Sequence, residues 1–414
     1  MNLKKIVLSL AIGLQAFSLY PLDRYVGGDI SLLPEYENAG AIYKDLKGEP
    51  VADLLPFLKE NGMNAMRVRL FVNPKDYNGD ADPNACQDLD YIIPLCKRIK
   101  EQGFSLLLDF HYSDTWADPA KQWTPESWKD LSDEQLYAKI YDYTKETLKT
   151  LKENGVTPDF IQPGNEISFG MLWGAYGSSD NELKKTYMGS DANWERLGKL
   201  LNQAIKGCKE ECPAAKIVIH TERVSDVAVQ NNFYNWMGKL NVEYDVIGLS
   251  YYPYFHGNMD VLNAALTSLE SEFPEKNIMI VETGYPYKWE VPGTDQKVDY
   301  PYSESGQDEF AKELVETLEN HSKVNGLFWW WLEYNAYNTK LEGWYNAPLF
   351  DSTTGKACMA LKTICSFAAG AGAVDFIEST ADGNNDRWYD LNGREVKDPK
   401  QGIFIQNRKK ILIR

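Results

Sequence analysis

Short apolar segments recur along the chain, and most are followed by a polar loop and a stretch with helical periodicity. Eight of them have the length and composition of buried strands. These segments are Tyr25–Leu33, Ala65–Val72, Phe104–Ser113, Asp159–Ile167, Lys216–Arg223, Val246–Tyr254, Asn277–Tyr285 and Val324–Tyr334. Strands and helices that alternate eight times predict an α/β fold, a single closed (β/α)8 barrel.

Amphipathic stretches between the strands supply the predicted helices. They are Val51–Asn61, Asp88–Gln102, Ser132–Asn154, Trp194–Cys208, Val261–Ser271 and Gln307–His321. Ser132 and Gln135 have the spacing of a capping box, and Asn61-Gly62, Gln102-Gly103 and Asn154-Gly155 are helix stop signals. A doubly wound sheet is the rival fold, but no G-x-G-x-x-G or Walker sequence follows any predicted strand.

The two ends of the chain differ from the predicted barrel. Two lysines, the apolar run Ile6–Leu14 and Ala16-Phe17-Ser18 are typical of a signal peptide over residues 1–18, although a buried N-terminal element is the alternative. The barrel is expected over residues 19–368. Residues 369–414 are expected to form a small-residue hinge and a short β tail of about three strands, at Arg387–Leu391, Gly402–Gln406 and Lys410–Ile413. We therefore predict an exported protein, whether periplasmic, cell-surface or secreted.

Composition narrows the range of possible functions. The net charge of −17 argues against a nucleic-acid binder, which needs a basic face. The 12 Trp and 25 Tyr suit a surface that stacks on sugar rings. Six cysteines form no Cys-x-x-Cys pair and the four histidines are isolated in sequence, so a zinc site is not predicted, while disulfides and free thiols both remain open.

Two glutamates end apolar strands and are the strongest catalytic candidates. Glu166 ends the fourth segment and Glu282 ends the seventh, after Ile-Met-Ile-Val. A carboxylate is costly to bury without a partner or a task, so the alternative is a structural pair of arginine-bound carboxylates. In a barrel both would lie at the active mouth, where two carboxyl groups suit glycoside hydrolysis.

Other strand ends supply candidate substrate contacts. Arg67 and Arg69 share parity on the second strand, so one of them could lower the pKa of a nucleophilic carboxylate, and a structural ion pair is the alternative for Arg67. His111, Asp114 and Trp116 follow the third strand and predict a sugar-binding rim.

Two aromatic clusters end later strands. Tyr251, which opens the cluster Tyr251–Tyr254 on the sixth strand, is a candidate substrate-binding residue, and the eighth strand carries Trp329–Trp331. Side chains alternate along a strand, so at least one of the three tryptophans must face away from the interior. Trp330 is a candidate for stacking on a sugar.

Five motifs resemble those of the arabinogalactan endo-β-1,4-galactanases of glycoside hydrolase family 53. The likeness runs from about Gly27 to Lys362. The motifs are Arg67–Pro74 (RVRLFVNP), Asp109–Pro119 (DFHYSDTWADP), Gln162–Trp173 (QPGNEISFGMLW), Ser250–Tyr254 (SYYPY) and Val281–Pro286 (VETGYP).

The resemblance implies an endo-acting retaining hydrolase that cuts internal β-1,4-galactosidic bonds in type I (arabino)galactan, the side chains of pectin. It implies Glu166 as acid/base, Glu282 as nucleophile and Asn165 as a hydrogen-bond partner of the sugar 2-hydroxyl. Arg69, Asp114, Trp116 and Trp330 are similar to substrate-contacting residues of the family. Retention requires the two carboxyl groups to lie about 5–5.5 Å apart.

The resemblance implies no required cofactor, although some bacterial members hold a structural calcium in the loops after strands seven and eight. The loop Lys288–Asp295 lacks the acidic series of such a site. The expected partners are galactan and galacto-oligosaccharides, with no nucleic acid and no membrane span, and we expect a monomer.

Three other functions stay open. The same catalytic machinery serves mannan, xylan and glucan, so the substrate could be another β-1,4-glycan. An exported carbohydrate-binding barrel without turnover is a second alternative, although both glutamates argue against it. A metal-dependent barrel enzyme would need clustered ligands such as His-x-His, which the sequence lacks.

Overall fold

A computed structural model describes most of the chain after residue 22. The described residues are 23–76, 82–178, 184–288, 291, 298–338, 341, 347–369, 388–389, 395–396, 402–406 and 409–413. The predicted signal peptide lies outside them, as does most of the predicted hinge. Both assignments stay predictions.

Eight parallel strands close into a barrel in sequence order, and the first strand pairs with the eighth. The strands are β1 (Tyr25–Asp29), β2 (Ala65–Leu70), β3 (Ser105–Phe110), β4 (Phe160–Pro163), β5 (Lys216–Thr221), β6 (Val246–Tyr251), β7 (Asn277–Thr283) and β8 (Val324–Trp329). The predicted (β/α)8 fold is confirmed. Each strand ends before its apolar segment does, because the last residues of the segment turn across the mouth of the barrel.

Ten α-helices lie in the described part of the chain. They are α1 (Leu33–Asn38), α2 (Leu54–Glu60), α3 (Leu89–Glu101), α4 (Asp133–Glu153), α5 (Asp191–Glu211), α6 (Val227–Lys239), α7 (Pro253–His256), α8 (Met259–Glu272), α9 (Glu304–Glu319) and α10 (Met359–Ala369). The capping box of Ser132 and Gln135 is present at α4. Gly62, Gly103 and Gly155 follow their helices with φ of +107°, +72° and +80°, as the stop signals predicted.

Apolar side chains fill the barrel interior only part of the way up. The buried interior cluster consists of Ala65, Leu107, Phe160, Val218, Val246, Met279, Val281 and Phe328. Two residues further along β2, β3, β4 and β5, the inward positions hold Arg67, Asp109, Gln162 and His220, all fully buried. The interior therefore changes from apolar to charged toward the C-terminal ends of the strands, where barrel enzymes place their active sites.

The end of the chain forms a separate unit, residues 372–414. Its strands are β9 (Trp388–Tyr389), β10 (Glu395–Val396), β11 (Gly402–Gln406) and β12 (Lys409–Ile413), in the antiparallel order β10-β9-β11-β12. The prediction of about three strands missed β10, because two residues are too few to show alternation. The predicted turn at Asn392-Gly393 lies outside the described residues.

All six cysteines are free thiols. Burial raises the pKa of Cys96 to about 12 and that of Cys365 to about 12, which makes these thiols unreactive. None of the described helices is long and apolar enough to cross a membrane.

Close backbone contact between β1 and β2 makes Gly27 sensitive to substitution. A Cβ at Gly27 would lie 1.7 Å from the carbonyl oxygen of its pairing partner Ala65, whereas a Cβ at Gly238 in α6 would meet nothing within 4 Å. We expect Gly27→Ala to lower the free energy of unfolding by about 3 kcal/mol or more. Gly238→Ala should be neutral or stabilise by up to about 1 kcal/mol. Melting temperatures at one scan rate test this, and equal values for the two variants would contradict it.

Candidate active site

A cavity of about 540 Å³ opens at the C-terminal end of the barrel. Its walls combine carboxyl groups with aromatic rings, which are the two kinds of side chain that bind and cleave sugars. The carboxyl groups belong to Asp82, Asp118, Glu166, Glu222 and Glu282, and the aromatic rings to Trp116, Tyr252, Phe255, His256, Trp330 and Trp331.

Glu282 lies near the end of β7 and is 5% exposed. Its Oε1 lies 2.9 Å from Nη2 of Arg67, and its Oε2 accepts a hydrogen bond from the Tyr252 hydroxyl at 3.2 Å. Burial raises the pKa of Glu282 to about 7, and the guanidinium of Arg67 opposes that rise. The carboxyl group is therefore buried but paired with a cation, as an ionised nucleophile needs.

Arg67 joins five strands through its guanidinium. Nη2 donates to Asp109 Oδ2 at 2.7 Å and to Asn165 Oδ1 at 2.9 Å, and Nη1 donates to Asp29 Oδ2 at 3.4 Å. Burial lowers the pKa of Arg67, but the carboxylates of Asp109, Glu282 and Asp29 together raise it above its ordinary value. Arg67 therefore stays charged and acts on the Glu282 carboxyl group as well as on the barrel.

Glu166 follows β4 in a left-handed conformation, with φ of +48°. Gly164 turns the chain with φ of +103°, and Gln122 Nε2 donates to the Asn165 carbonyl at 2.8 Å, which holds the turn. The described contacts of the Glu166 carboxyl group include no cation. Burial and the charges of Glu282 and Glu222 raise its pKa well above the usual range.

A neutral hydrogen-bond chain reaches Glu166 from inside the barrel. The Ser250 hydroxyl donates to Glu166 Oε1 at 2.6 Å, so Ser250 must accept from His220 Nε2, 2.8 Å away. Burial lowers the pKa of His220 well below its usual value, with Arg67 contributing. A neutral imidazole does not favour ionisation of Glu166, which agrees with a proton donor.

Trp116, Trp330 and Trp331 form one wall of the cavity, which we call the tryptophan wall. The ring centroid of Trp116 lies 6.0 Å from those of both Trp330 and Trp331. Trp116 Nε1 donates to Asp82 Oδ2 at 2.5 Å, which fixes the ring. Trp329 instead packs outward against Phe310 of α9, so the prediction that one tryptophan faces away is confirmed.

Arg69 lies behind the tryptophan wall and does not line the cavity. Its guanidinium carbon lies 4.8 Å from the ring centroid of Trp116, 5.3 Å from Trp330 and 5.2 Å from Trp331. Nη1 donates to Asp29 Oδ1 at 2.6 Å. Arg69 therefore supports the aromatic rings, and Arg67 is the arginine that contacts the carboxyl group of Glu282.

His111 and Asp114 shape the loop after β3 and do not line the cavity. His111 Nδ1 accepts from the backbone N–H of Ala117 at 3.1 Å. Asp114 accepts from the backbone N–H groups of Asn73 at 2.9 Å and Glu126 at 2.7 Å. These bonds hold the segment that carries Trp116, so the expected direct sugar contact of His111 and Asp114 is replaced by an indirect role.

Tyr251 lies outside the cavity, which corrects the prediction that it binds substrate. It is fully buried, its hydroxyl donates to the Gly257 carbonyl at 3.0 Å, and its ring stacks near Phe310. Ser250 points into the barrel, so alternation turns Tyr251 outward. Tyr252 follows the end of β6 and lines the cavity instead.

Asn165, a residue of the sequence-based set, lines the cavity, and its Nδ2 donates to the Ala117 carbonyl at 2.8 Å.

Several other cavity residues were absent from the sequence-based set. Glu222 directly follows β5 and could have been found as a strand-end carboxylate. Asp118 belongs to the quoted motif after β3. Asp82 enters from a loop for which the sequence carries no signal.

No cluster of three or more His, Cys, Asp or Glu side chains suited to a metal occurs within the described ranges. The loop in which calcium was considered, after Glu282, is described only in part, since residues 289–290 and 292–297 lie outside them.

Similarity to known proteins agrees with this site. The sequence profile of Glycosyl hydrolase family 53 matches residues 25–364. Arabinogalactan endo-beta-1,4-galactanase A of Aspergillus niger is 34% identical over 317 residues, covering 74% of this chain and 84% of that protein. Endo-beta-1,4-galactanase of Bacillus subtilis (strain 168) is 30% identical over 317 residues, covering 74% and 70%.

A solved structure extends the similarity to three dimensions. The Ignisphaera aggregans GH53 catalytic domain superposes with a TM-score of 0.73 at 33% identity, covering 84% of this chain and 97% of that domain. A profile match over most of the chain, the barrel and the paired glutamates at its mouth agree: this chain belongs to glycosyl hydrolase family 53.

Proposed function

We propose that this glycosidase is an endo-β-1,4-galactanase that cleaves internal bonds of type I (arabino)galactan and retains the anomeric configuration. The observation that carries the proposal is the pair Glu166 and Glu282 in one cavity, with Arg67 bound to only one of the two. Galactanase names among its relatives support the substrate.

The proposed reaction has two displacements. The Glu282 carboxylate attacks the anomeric carbon, the glycosidic C–O bond breaks, and the leaving oxygen takes the proton of Glu166. Glu166, now ionised, then removes a proton from a water molecule whose oxygen attacks the same carbon and releases Glu282. Both steps use only protein carboxyl groups and water, and two inversions leave the β configuration in the product.

The surroundings of the two glutamates support these roles. Arg67 favours the charged form of Glu282, whereas Glu166 faces the charge of Glu282 and a neutral hydroxyl. Once Glu282 is consumed in the covalent intermediate, its charge disappears and the pKa of Glu166 falls. The same residue can then act as a base.

The tryptophan wall supports a polysaccharide substrate. Its ring faces can stack on the apolar faces of pyranose rings, and the carboxyl groups that line the same cavity can accept hydrogen bonds from sugar hydroxyls. Other β-1,4-glycans are not favoured, because the galactanase relatives align over most of this chain. A non-catalytic barrel is not favoured either, because both catalytic carboxyl groups and their distinct surroundings are present.

We also propose that the protein is exported and monomeric. Support for export is the sequence pattern of residues 1–18. Cell fractionation, with N-terminal sequencing of the mature protein, would separate periplasmic, cell-surface and secreted forms. Light scattering on the purified chain measures the oligomeric state.

Linear β-1,4-galactan should yield oligosaccharides of intermediate length early in digestion, because an endo-acting enzyme cuts inside the chain. Glu282→Ala removes the nucleophile and should lower the rate by about 10⁴-fold or more. Size-resolved product analysis measures both, and circular dichroism checks that the variant is folded. Release of galactose alone would contradict endo action, and a fully active variant would contradict the role of Glu282.

The pH profile should distinguish the two glutamates. Activity requires Glu282 ionised and Glu166 protonated, so kcat/KM should rise through the pKa of Glu282 and fall at higher pH through that of Glu166. Glu166→Ala should lower turnover of galactan by about 10²–10⁴-fold but spare an aryl galactobioside with an activated leaving group. With that aryl substrate the alkaline fall should disappear in the variant. An unchanged alkaline fall would contradict the assignment of Glu166.

The stereochemistry of the first product tests double displacement directly. Proton NMR during galactan hydrolysis should show the β anomer of the new reducing end first, with the α anomer appearing later by mutarotation. Initial formation of the α anomer would mean that water attacks in a single displacement, which needs carboxyl groups about 6.5–9.5 Å apart.

A further inference from the structure

Glu222 is a third glutamate in the cavity, and double displacement assigns it no task. It follows β5 directly, lines the same cavity as Glu166 and Glu282, and is 8% exposed. A carboxyl group in such a position is costly to keep unless it has a partner.

Only one of the two carboxyl oxygens of Glu222 is satisfied. The Ser168 hydroxyl donates to Oε1, whereas the buried Oε2 has no hydrogen-bond partner among the described residues. The neighbouring residue Arg223 is a cation, but its Nη1 lies 3.9 Å from Oε1 and makes no hydrogen bond to Oε2. Ser168 holds the carboxyl group of Glu222 in one orientation at the cavity wall. Its Oε1, which accepts from Ser168, has a second lone pair for a hydrogen bond from a ligand.

The position of Glu222 in the barrel identifies the part of the substrate that it meets. Strand β5 is the neighbour of β4, and Ser168 lies two residues after Glu166. The charge of Glu222 also acts on the carboxyl group of Glu166, whereas the tryptophan wall is carried by β8 and the loop after β3. Glu222 therefore lies on the side of the proton donor, and the proton donor faces the leaving group.

We propose that Glu222 positions the departing sugar: its carboxyl group hydrogen bonds to a hydroxyl of the residue on the leaving-group side and aligns the glycosidic oxygen with Glu166. This inference rests on the proposed galactanase function. It makes Glu222 a determinant of preference for sugar leaving groups, because a leaving group without hydroxyls gains nothing from it.

The electrostatics of the site agree with this role. Burial raises the pKa of Glu222 to about 7, with Ser168 and Arg223 opposing the rise. Near neutral pH its carboxyl group therefore exists in both protonation states, and either state can hydrogen bond to a sugar hydroxyl, which both donates and accepts. Its charge is also one of the causes that raise the pKa of Glu166.

Two substrates that transfer the same galactobiosyl unit but have different leaving groups distinguish this role from a purely structural one. β-1,4-Galactotetraose, cut at its centre, and an aryl β-1,4-galactobioside both place a galactobiosyl unit on the nucleophile, but only the first has a sugar leaving group. Glu222→Ala should lower kcat/KM for the tetrasaccharide by about 10–100-fold and change that for the aryl substrate less than about 3-fold. Glu222→Gln, which keeps the shape and one acceptor oxygen, should fall between Glu222→Ala and the wild type.

Glu272→Gln is the matched control, because it removes a carboxylate at the exposed end of α8 and should leave both substrates unaffected. Equal losses on the two substrates, or no loss on the tetrasaccharide, would overturn the role of Glu222. Activity on the aryl substrate reports that each variant is folded. If Glu222→Ala does not fold, the two substrates are compared with Glu222→Gln and the wild type alone. A wild-type enzyme that cleaves only the aryl substrate would overturn the galactanase proposal itself.

Discussion

The buried guanidinium of Arg67 is the interaction on which the mouth of the barrel depends. A charged group without water is stable only if carboxylates and hydrogen-bond acceptors surround it, and Asp29, Asp109, Asn165 and Glu282 provide them. These partners come from β1, β3, the end of β4 and β7, so one cation on β2 connects much of the ring. Loss of Arg67 would leave Asp109 and Glu282 without an arginine partner, whereas Asp29 would keep Arg69. Arg67 therefore couples the packing of the barrel to the charge of Glu282.

The same ion cluster makes two chemically identical side chains different. Glu282 is bound to Arg67, whereas Glu166 is bound to Ser250, and Ser250 is bound in turn to the neutral imidazole of His220. One carboxyl group therefore has a cation beside it and the other has only neutral donors and a nearby negative charge. Their pKa values move apart, which is the condition for one acid and one nucleophile to coexist in one cavity.

Local signals in the sequence were enough to predict the strands, the helix caps and the two glutamates that line the cavity, because a carboxylate after an apolar run is visible without knowledge of the fold. Contacts between distant strands were not visible in this way. Arg67 and Arg69 have the same parity, and only the three-dimensional arrangement places Arg67 against Glu282 and Arg69 behind the tryptophans. The cluster Tyr251–Tyr254 at the end of β6 likewise showed aromatic character but did not show which tyrosine enters the cavity.

Strand alternation stops at the mouth of the barrel, where the backbone leaves the extended conformation. Tyr112, Glu166 and Trp331, which follow β3, β4 and β8, all have left-handed backbones, with φ of +49°, +48° and +51°. Such a conformation costs a non-glycine residue about 1–3 kcal/mol, and packing and hydrogen bonds from the surrounding loops must offset it. It turns the chain sharply, so that Trp331 can join Trp330 on the cavity wall although the two are adjacent in sequence. The alternation of inward and outward side chains along each strand therefore predicts which residues fill the barrel interior. It no longer applies after the left-handed residues, which follow the strands and shape the walls of the cavity.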